Sequence, residues 1–206
     1  MRIRHVALAS AAGVTAALAV PAHAAGPKPQ IVDAVGDANG VNQQFPGVGP
    51  EPPTVQTAPA DVAAADISTV LFATNFVTKK VKGKKVKVPN GFAVTLTLAA
   101  APMPNVEYRV AAAAADCTSV FFEYDTSVAL GSSDVRCPGA TPTTGTDYGV
   151  KATVSGTQIS WVVPNGVFHN GTVFSSLNAQ TRTVEGLITA PQIDYAASTA
   201  TYTLGK

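Results

Sequence analysis

The sequence predicts an all-β protein folded as a sandwich of antiparallel sheets, and three observations lead to that prediction. Apolar residues alternate with small or polar ones in several short segments, as in 92–98, 120–125, 159–163 and 200–204, which is the period of a half-buried strand. Turn signals separate these segments: Pro89-Asn90-Gly91, Ser155-Gly156, Pro164-Asn165-Gly166 and Asn170-Gly171. Charged residues are only 13% of the chain, and no segment has the capped, amphipathic pattern of a helix. Short strands joined by turns are typical of sandwiches.

The first 24 residues have the layout of a secretory signal peptide. Arg2 and Arg4 precede an apolar stretch over residues 6–20, and residues 22–24, Ala-His-Ala, provide a cleavage site with small residues. The apolar stretch is short for a membrane span. We therefore expect residues 1–24 to be cleaved and the mature chain to be secreted, without membrane insertion.

The mature chain divides into an irregular Pro/Gly-rich segment, 25–60, and one β-sandwich domain, 61–206. Loss of the signal peptide removes two arginines, which leaves 12 basic and 13 acidic residues. A nearly neutral chain has no general attraction to nucleic acid or to membranes. We therefore expect no nucleic-acid partner.

Two shorter features bear on the fold. Cys117 and Cys137 are the only cysteines, and in an oxidising compartment such a pair is most simply a disulfide that closes a hairpin. The alanine run 111–115 favours a helix by composition, but five residues cannot nucleate one alone. The alternating segment 106–110 precedes it, so we predict a strand that continues towards Cys117.

The densest charge in the chain is Lys79-Lys80-Val81-Lys82-Gly83-Lys84-Lys85-Val86-Lys87. Gly83 predicts a turn between two arms that project past the sheet. Clustered ammonium groups attract phosphate or sulfate polymers in a salt-dependent way. The alternative interpretation is a solvated hairpin whose lysines prevent edge-to-edge aggregation.

Short motifs follow one another along the mature chain in a definite order. They are Asp33-x-x-Gly36-Asp37, Asp66-Ile67, Val94 to Leu98, Gly156-x-x-Ile159-x-Trp161-x-Val163-Pro164, Asp194-x-Ala196 and Tyr202-x-Leu204-Gly205. This order resembles the secreted bacterial β-sandwiches related to DOMON domains and family-nine carbohydrate-binding modules. The resemblance implies a jelly-roll-like sandwich, often with structural calcium, that in some members binds sugar or haem.

Four aspartates are the candidate calcium ligands: Asp33, Asp37, Asp66 and Asp194. Calcium takes six to eight oxygen ligands, which carboxylates and loop carbonyls supply. If the resemblance holds, the N-terminal segment and two strand ends meet at one rim of the sandwich. The alternative is that these are ordinary turn and capping aspartates.

Aromatic residues indicate where a sugar would stack. Trp161 is in phase with Ile159 and Val163, so we expect it in the core. Tyr148 and Tyr195 lie near turns and remain the candidates for ligand stacking.

Catalysis has little support. His169 is the only histidine of the mature chain, and no Gly-x-Ser-x-Gly motif accompanies it. We therefore predict a secreted, non-enzymatic binding module, with cell-wall polysaccharide or an anionic envelope polymer as the partner. A hydrolase that uses two carboxylates remains an alternative, because acids pair in space rather than in sequence.

Overall fold

The structure is a computed structural model, and it describes residues 26–38, 62–115, 117–126, 132–137, 146–185 and 188–205. The expected signal peptide, 1–24, lies outside the described residues, as do residues 39–61 of the Pro/Gly-rich segment.

Twelve strands and one short 3-10 helix, Val62–Ala64, make up the regular structure of the described residues. The strands are β1 (Ile31–Val32), β2 (Ile67–Val81), β3 (Lys84–Leu98), β4 (Val106–Ala114), β5 (Cys117–Asp125), β6 (Ser132–Cys137), β7 (Thr146–Asp147), β8 (Ala152–Ser155), β9 (Gln158–Val163), β10 (Val173–Glu185), β11 (Ile188–Ser198) and β12 (Tyr202–Thr203). In the described part of the chain, no helix is long and apolar enough to span a membrane.

The strands form two antiparallel sheets, which confirms the predicted all-β sandwich. The first sheet has the order β1-β2-β3-β9-β8. The second has the order β11-β10-β4-β5-β6-β7, and β12 pairs with β10 beside this path. The finer jelly-roll description remains a prediction.

Large aromatic side chains fill the space between the sheets. Phe72 of β2 lies 5.8 Å, centroid to centroid, from both Phe122 of β5 and Phe174 of β10. Trp161 is fully buried, as its phase predicted, and its Nε1 donates a hydrogen bond to the backbone oxygen of Glu123, 3.1 Å away. Because a buried indole N–H needs an acceptor, this bond also joins the two sheets.

The alanine-rich run and the cysteine pair lie as predicted, with one correction. Residues 111–114 are strand, but the chain reverses after β4 instead of continuing, and Ala114 pairs with Cys117 at the start of β5. The disulfide between Cys117 and Cys137 is present, with the two Cα atoms 5.9 Å apart, and it joins the neighbouring strands β5 and β6.

The hairpin of β2 and β3 is the longest unit of the fold, with 15 residues in each strand. Pro89-Asn90-Gly91 was predicted to be a turn, and this is wrong because β3 runs through it. The pairing changes there from Thr74–Phe92 to Phe76–Pro89, so the segment is a β-bulge. Gly91 has φ +81°, a backbone conformation that glycine adopts without strain.

Part of the Pro/Gly-rich segment belongs to the sandwich. Ile31 and Val32 of β1 pair with Val70 and Thr69 of β2, and Ile31 is buried. This pairing brings the aspartates that follow β1 to the start of β2.

Candidate functional sites at the two ends of the sandwich

The four predicted calcium ligands lie together at one rim of the sandwich, which we call the acidic rim: Asp33, Asp37, Asp66 and Asp194. Asp33 follows β1, Asp66 immediately precedes β2, and Asp194 lies in β11. One carboxylate oxygen from each of Asp33, Asp37 and Asp194 lies within 4.8 Å of the others. The tertiary structure thus assembles residues that are up to 161 positions apart in the sequence.

Backbone hydrogen bonds hold the two most buried carboxylates in place. Asp194 Oδ2 accepts from the backbone N–H of Ile67 and its Oδ1 from that of Tyr195, each at 2.7 Å. Asp66 Oδ2 accepts from the backbone N–H of Gly36, at 2.5 Å. The first bond joins the second sheet to the first, and the last ties the loop between Asp33 and Asp37 to β2.

Burial and neighbouring negative charges disfavour the ionised form of two of these aspartates, Asp33 and Asp194. Burial raises the pKa of Asp33 above 3.8, and the negative charges of Asp37 and Asp66 add to the shift, although the Ala34 N–H opposes it. Burial likewise raises the pKa of Asp194 above 3.8, and the charges of Asp33 and Asp37 add to the shift against two backbone N–H groups.

Two carboxylate oxygens of the acidic rim are buried without a hydrogen-bond partner among the described residues: Asp33 Oδ2 and Asp66 Oδ1. The Asp66 side chain is only 2% exposed. Because a buried oxygen without a partner is costly, these atoms fit a hard cation as ligands. By geometry, the group that could hold such a cation is Asp33, Asp37 and Asp194.

The six lysines occupy the far end of the β2–β3 hairpin, and we call residues 79–87 the lysine hairpin. Lys82 and Gly83 both have positive φ, 49° and 79°, as two-residue hairpin turns require. All nine residues are exposed. Neither arm pairs with another described strand there, because β1 and β9 contact the hairpin only nearer its base. The predicted projection past the sheet is therefore confirmed.

The acidic rim and the lysine hairpin lie at opposite ends of the same strand. Asp66 immediately precedes β2 and Lys79 lies near its end, which corresponds to roughly 40 Å along an extended chain. The charges of the two regions are therefore too far apart to neutralise each other at physiological salt.

A cleft opens at the root of the lysine hairpin, with a volume of about 510 Å³. Its lining includes Thr74 and Pro89 from the β2–β3 hairpin, together with Asn165, His169 and Asn170 from the loops after β9. Asn165 shapes the cleft, because its Oδ1 accepts from the Gly91 N–H at 2.6 Å across the bulge. Asn170 and His169 are exposed.

The two tyrosines predicted to stack on a ligand lie apart. Tyr195 is in β11, at one edge of the second sheet, and its side chain is 51% exposed. Tyr148 follows β7, at the opposite edge, and its ring packs on Phe168 at 5.3 Å. The structure therefore does not bring them together on one platform.

Two glutamates carry further charge on the outer face of the second sheet. Glu107 contacts Arg182 and Arg109 at 2.5 and 2.8 Å, and Glu123 contacts Arg109 and Arg136 at 2.7 and 2.5 Å. Both glutamates are buried. Each carboxylate is thus held between two guanidinium groups, which is the arrangement of a structural ion-pair network.

Sequence reasoning missed the contribution of Phe76, Asn165 and Gly91 to the lysine end of the molecule. Phe76 is apolar yet 52% exposed, and it pairs with Pro89 at the edge of the cleft. The signal that could have identified it is an aromatic residue beside the polar end of a strand. Asn165 and Gly91 were noted only as turn residues.

Comparison with known proteins identifies no relative: no protein-family model, no curated protein and no solved structure matches the chain. The DOMON-like resemblance therefore remains a prediction, and the functional argument depends on the residues themselves.

Proposed function

We propose that the chain is a secreted, non-catalytic binding module and that its lysine hairpin binds anionic polymers of the cell envelope. The observation that carries the proposal is the lysine hairpin, in which six lysines and no acid occupy nine exposed residues. Ammonium groups at this density attract phosphate or sulfate polymers by displacing the counterions of the polymer.

The shape of the hairpin favours binding over simple protection of a sheet edge. Edge protection requires charged side chains only where an outer strand borders the sheet. Here both arms continue beyond the sheet as an isolated two-stranded ribbon, which buries little apolar surface and adds little stability. A ribbon of this length presents the lysines to a partner from several directions.

The test is co-sedimentation of the mature protein with purified cell walls at low and high salt. We expect binding to fall by about one to two orders of magnitude between roughly 50 and 200 mM salt, as expected for several lysine–anion contacts. Co-sedimentation that does not change with salt, or no co-sedimentation at either salt concentration, would contradict the proposal.

A second proposal is that the acidic rim binds structural calcium. The buried, unpartnered oxygens of Asp33 and Asp66 favour it, as does the clustering of Asp33, Asp37 and Asp194. A bound cation would give these oxygens a partner and offset the repulsion that raises the pKa of Asp33 and Asp194. The ion would also connect the loop after β1 to β11.

Thermal unfolding with calcium or with EDTA tests this second proposal. Calcium at about a hundredfold excess over its Kd should raise the melting temperature by about 5–10 °C for a domain of this size. Magnesium serves as the control, because it demands a smaller and more regular site. Equal melting temperatures in calcium and in EDTA would contradict the proposal.

A further inference from the structure

We infer that the cleft and the inner face of the lysine hairpin form one binding site for an acidic saccharide, a ligand that carries sugar hydroxyls together with phosphate or sulfate groups. This inference rests on the proposed function, binding of anionic polymers, and adds that the same site also recognises the sugar groups of the polymer.

Strand register places the cleft and three of the lysines on the same face. Cross-strand partners project to the same side of a sheet, and side chains alternate along each strand. Thr74, which lines the cleft, pairs with the buried Phe92, so this face is the one directed towards the second sheet. Phe76 lies two residues further along this face and pairs with Pro89, which also lines the cleft.

The same face continues outward into the lysines. Beyond the Phe76–Pro89 pair come Thr78 paired with Lys87 and then Lys80 paired with Lys85. Each pair lies about 7 Å beyond the previous one, at the rise of two strand residues. One exposed aromatic ring therefore lies between the cleft, which has both polar and apolar lining residues, and three ammonium groups.

The chemistry of the cleft suits sugar hydroxyls. The amide of Asn170 offers a donor and an acceptor, and the imidazole of His169 is a further polar group in the lining. A volume of about 510 Å³ lies within the usual range for small-ligand sites. The exposed ring of Phe76 supplies the flat apolar surface on which the C–H face of a sugar packs.

The opposite face of the hairpin differs in composition, which provides a matched control. It carries Lys79 and Lys84 together with valines: Val77, Val81, Val86 and Val88. Lys82 lies in the turn. Replacing Lys79, Lys82 and Lys84 therefore removes the same charge as replacing Lys80, Lys85 and Lys87, but leaves the inner face intact.

The experiment measures binding of the mature protein to three polymers: dextran sulfate, neutral dextran and inorganic polyphosphate. Dextran sulfate has both sugar and charge, and each of the others has only one of them. We expect dextran sulfate to bind most tightly. F76A and N170A should each weaken its binding about three- to tenfold and should change polyphosphate binding less than twofold.

The two triple variants test the orientation of the site. K80Q/K85Q/K87Q should weaken dextran sulfate binding at least tenfold more than K79Q/K82Q/K84Q. V81A, which alters an equally exposed apolar residue on the outer face, should have no effect. Circular dichroism and thermal unfolding confirm that each variant is folded.

Several outcomes overturn the inference and are distinguishable from failure of the proposed function. Equal losses in the two triple variants, or equal effects of F76A on dextran sulfate and polyphosphate, would show that charge alone binds the polymer. A larger loss in V81A than in F76A would favour a lipid surface on the valine-bearing face. If the unmodified protein binds neither dextran sulfate nor polyphosphate, the proposed function fails as well.

Discussion

The acidic rim and the lysine hairpin are two clusters of like charge at opposite ends of one strand, and they differ in their contact with water. At the rim, Asp66 and Asp194 are 2% and 7% exposed. In the hairpin, all six lysines are exposed. Because repulsion between charges grows as water is excluded, the two buried acids repel their neighbours more strongly than the exposed lysines repel one another.

The pKa values of two aspartates at the acidic rim reflect this burial. The pKa of Asp33 and Asp194 is raised by burial first and by neighbouring acids second. The lysines are exposed to water, whose high dielectric constant weakens their mutual repulsion. These two environments are the basis for proposing a cation site at the acidic rim and an anion-binding surface at the lysine hairpin.

The largest loss of stability should come from disrupting the β-bulge that connects the lysine hairpin to the sandwich. A Cβ atom at Gly91 would lie 1.8 Å from the backbone oxygen of Val163, so Gly91→Ala forces the bulge to move. We expect a loss of about 3 kcal/mol or more in the free energy of unfolding, measured by chemical denaturation.

Gly83→Ala is the matched control for this prediction. Gly83 also has positive φ, 79°, but a Cβ atom there would meet nothing within 4 Å. The cost should be about 1 kcal/mol, from the backbone conformation alone. Equal losses in the two variants would show that the close approach to Val163 does not matter.

A smaller effect should be seen in how stability depends on pH, through the carboxyl groups of the acidic rim. A carboxyl group whose pKa is raised on folding binds protons more tightly in the folded state, so its contribution to stability rises as pH falls through the raised pKa towards 3.8. In EDTA, we therefore expect the contribution of Asp33 and Asp194 to increase on acidification from neutral pH.

Calcium should reverse this trend, because protons compete with the ion for the carboxylates. Melting temperatures at several pH values, in EDTA and in calcium, measure both slopes. Asp33→Asn should reduce the slope of melting temperature against pH both in EDTA and in calcium, because it replaces an unpartnered buried oxygen with an amide. Parallel slopes in EDTA and in calcium would argue against a cation at the rim.

The smallest effect should come from the lysines. K79Q/K82Q/K84Q removes three exposed charges without altering a buried contact, so the free energy of unfolding should change by no more than about 0.5 kcal/mol. Thermal and chemical unfolding measure the change. A large loss of stability would mean that the hairpin contributes to the fold itself and would remove the contrast between the two ends.

Residue patterns predicted the parts of the molecule that depend on local spacing. The near-symmetry of lysines about Gly83 predicted the hairpin, and the alternation around Trp161 placed it in the core. The cysteine pair predicted a disulfide, and the structure contains it. Each of these features depends on a few neighbouring residues and on the period of a strand.

The prediction from sequence was wrong where the same residues are compatible with either a turn or a β-bulge. Pro89-Asn90-Gly91 is typical of a turn, but Pro89 pairs with Phe76 of β2, and the residue after this segment, Phe92, pairs with β2 and β9, which keeps the chain in the sheet as a bulge. The bulge adds one residue to β3, whereas the alternation of β2 continues unbroken. The face of Phe76 therefore follows from the pattern of β2, but its pairing with Pro89, which places it beside the cleft, could not be derived without the bulge.

The sequence by itself determined the kinds of groups present: four aspartates, a lysine-rich turn, alternating apolar segments and one cysteine pair. Only the tertiary structure decided which of them meet. The aspartates converge because β1 and β11 both reach the start of β2, and long-range strand pairing is not encoded in local periodicity. The lysines face outward because the hairpin is longer than the strands beside it. Burial, which only the assembled sandwich creates, then distinguishes the acids, whose charged form it disfavours, from the lysines, which stay in contact with water.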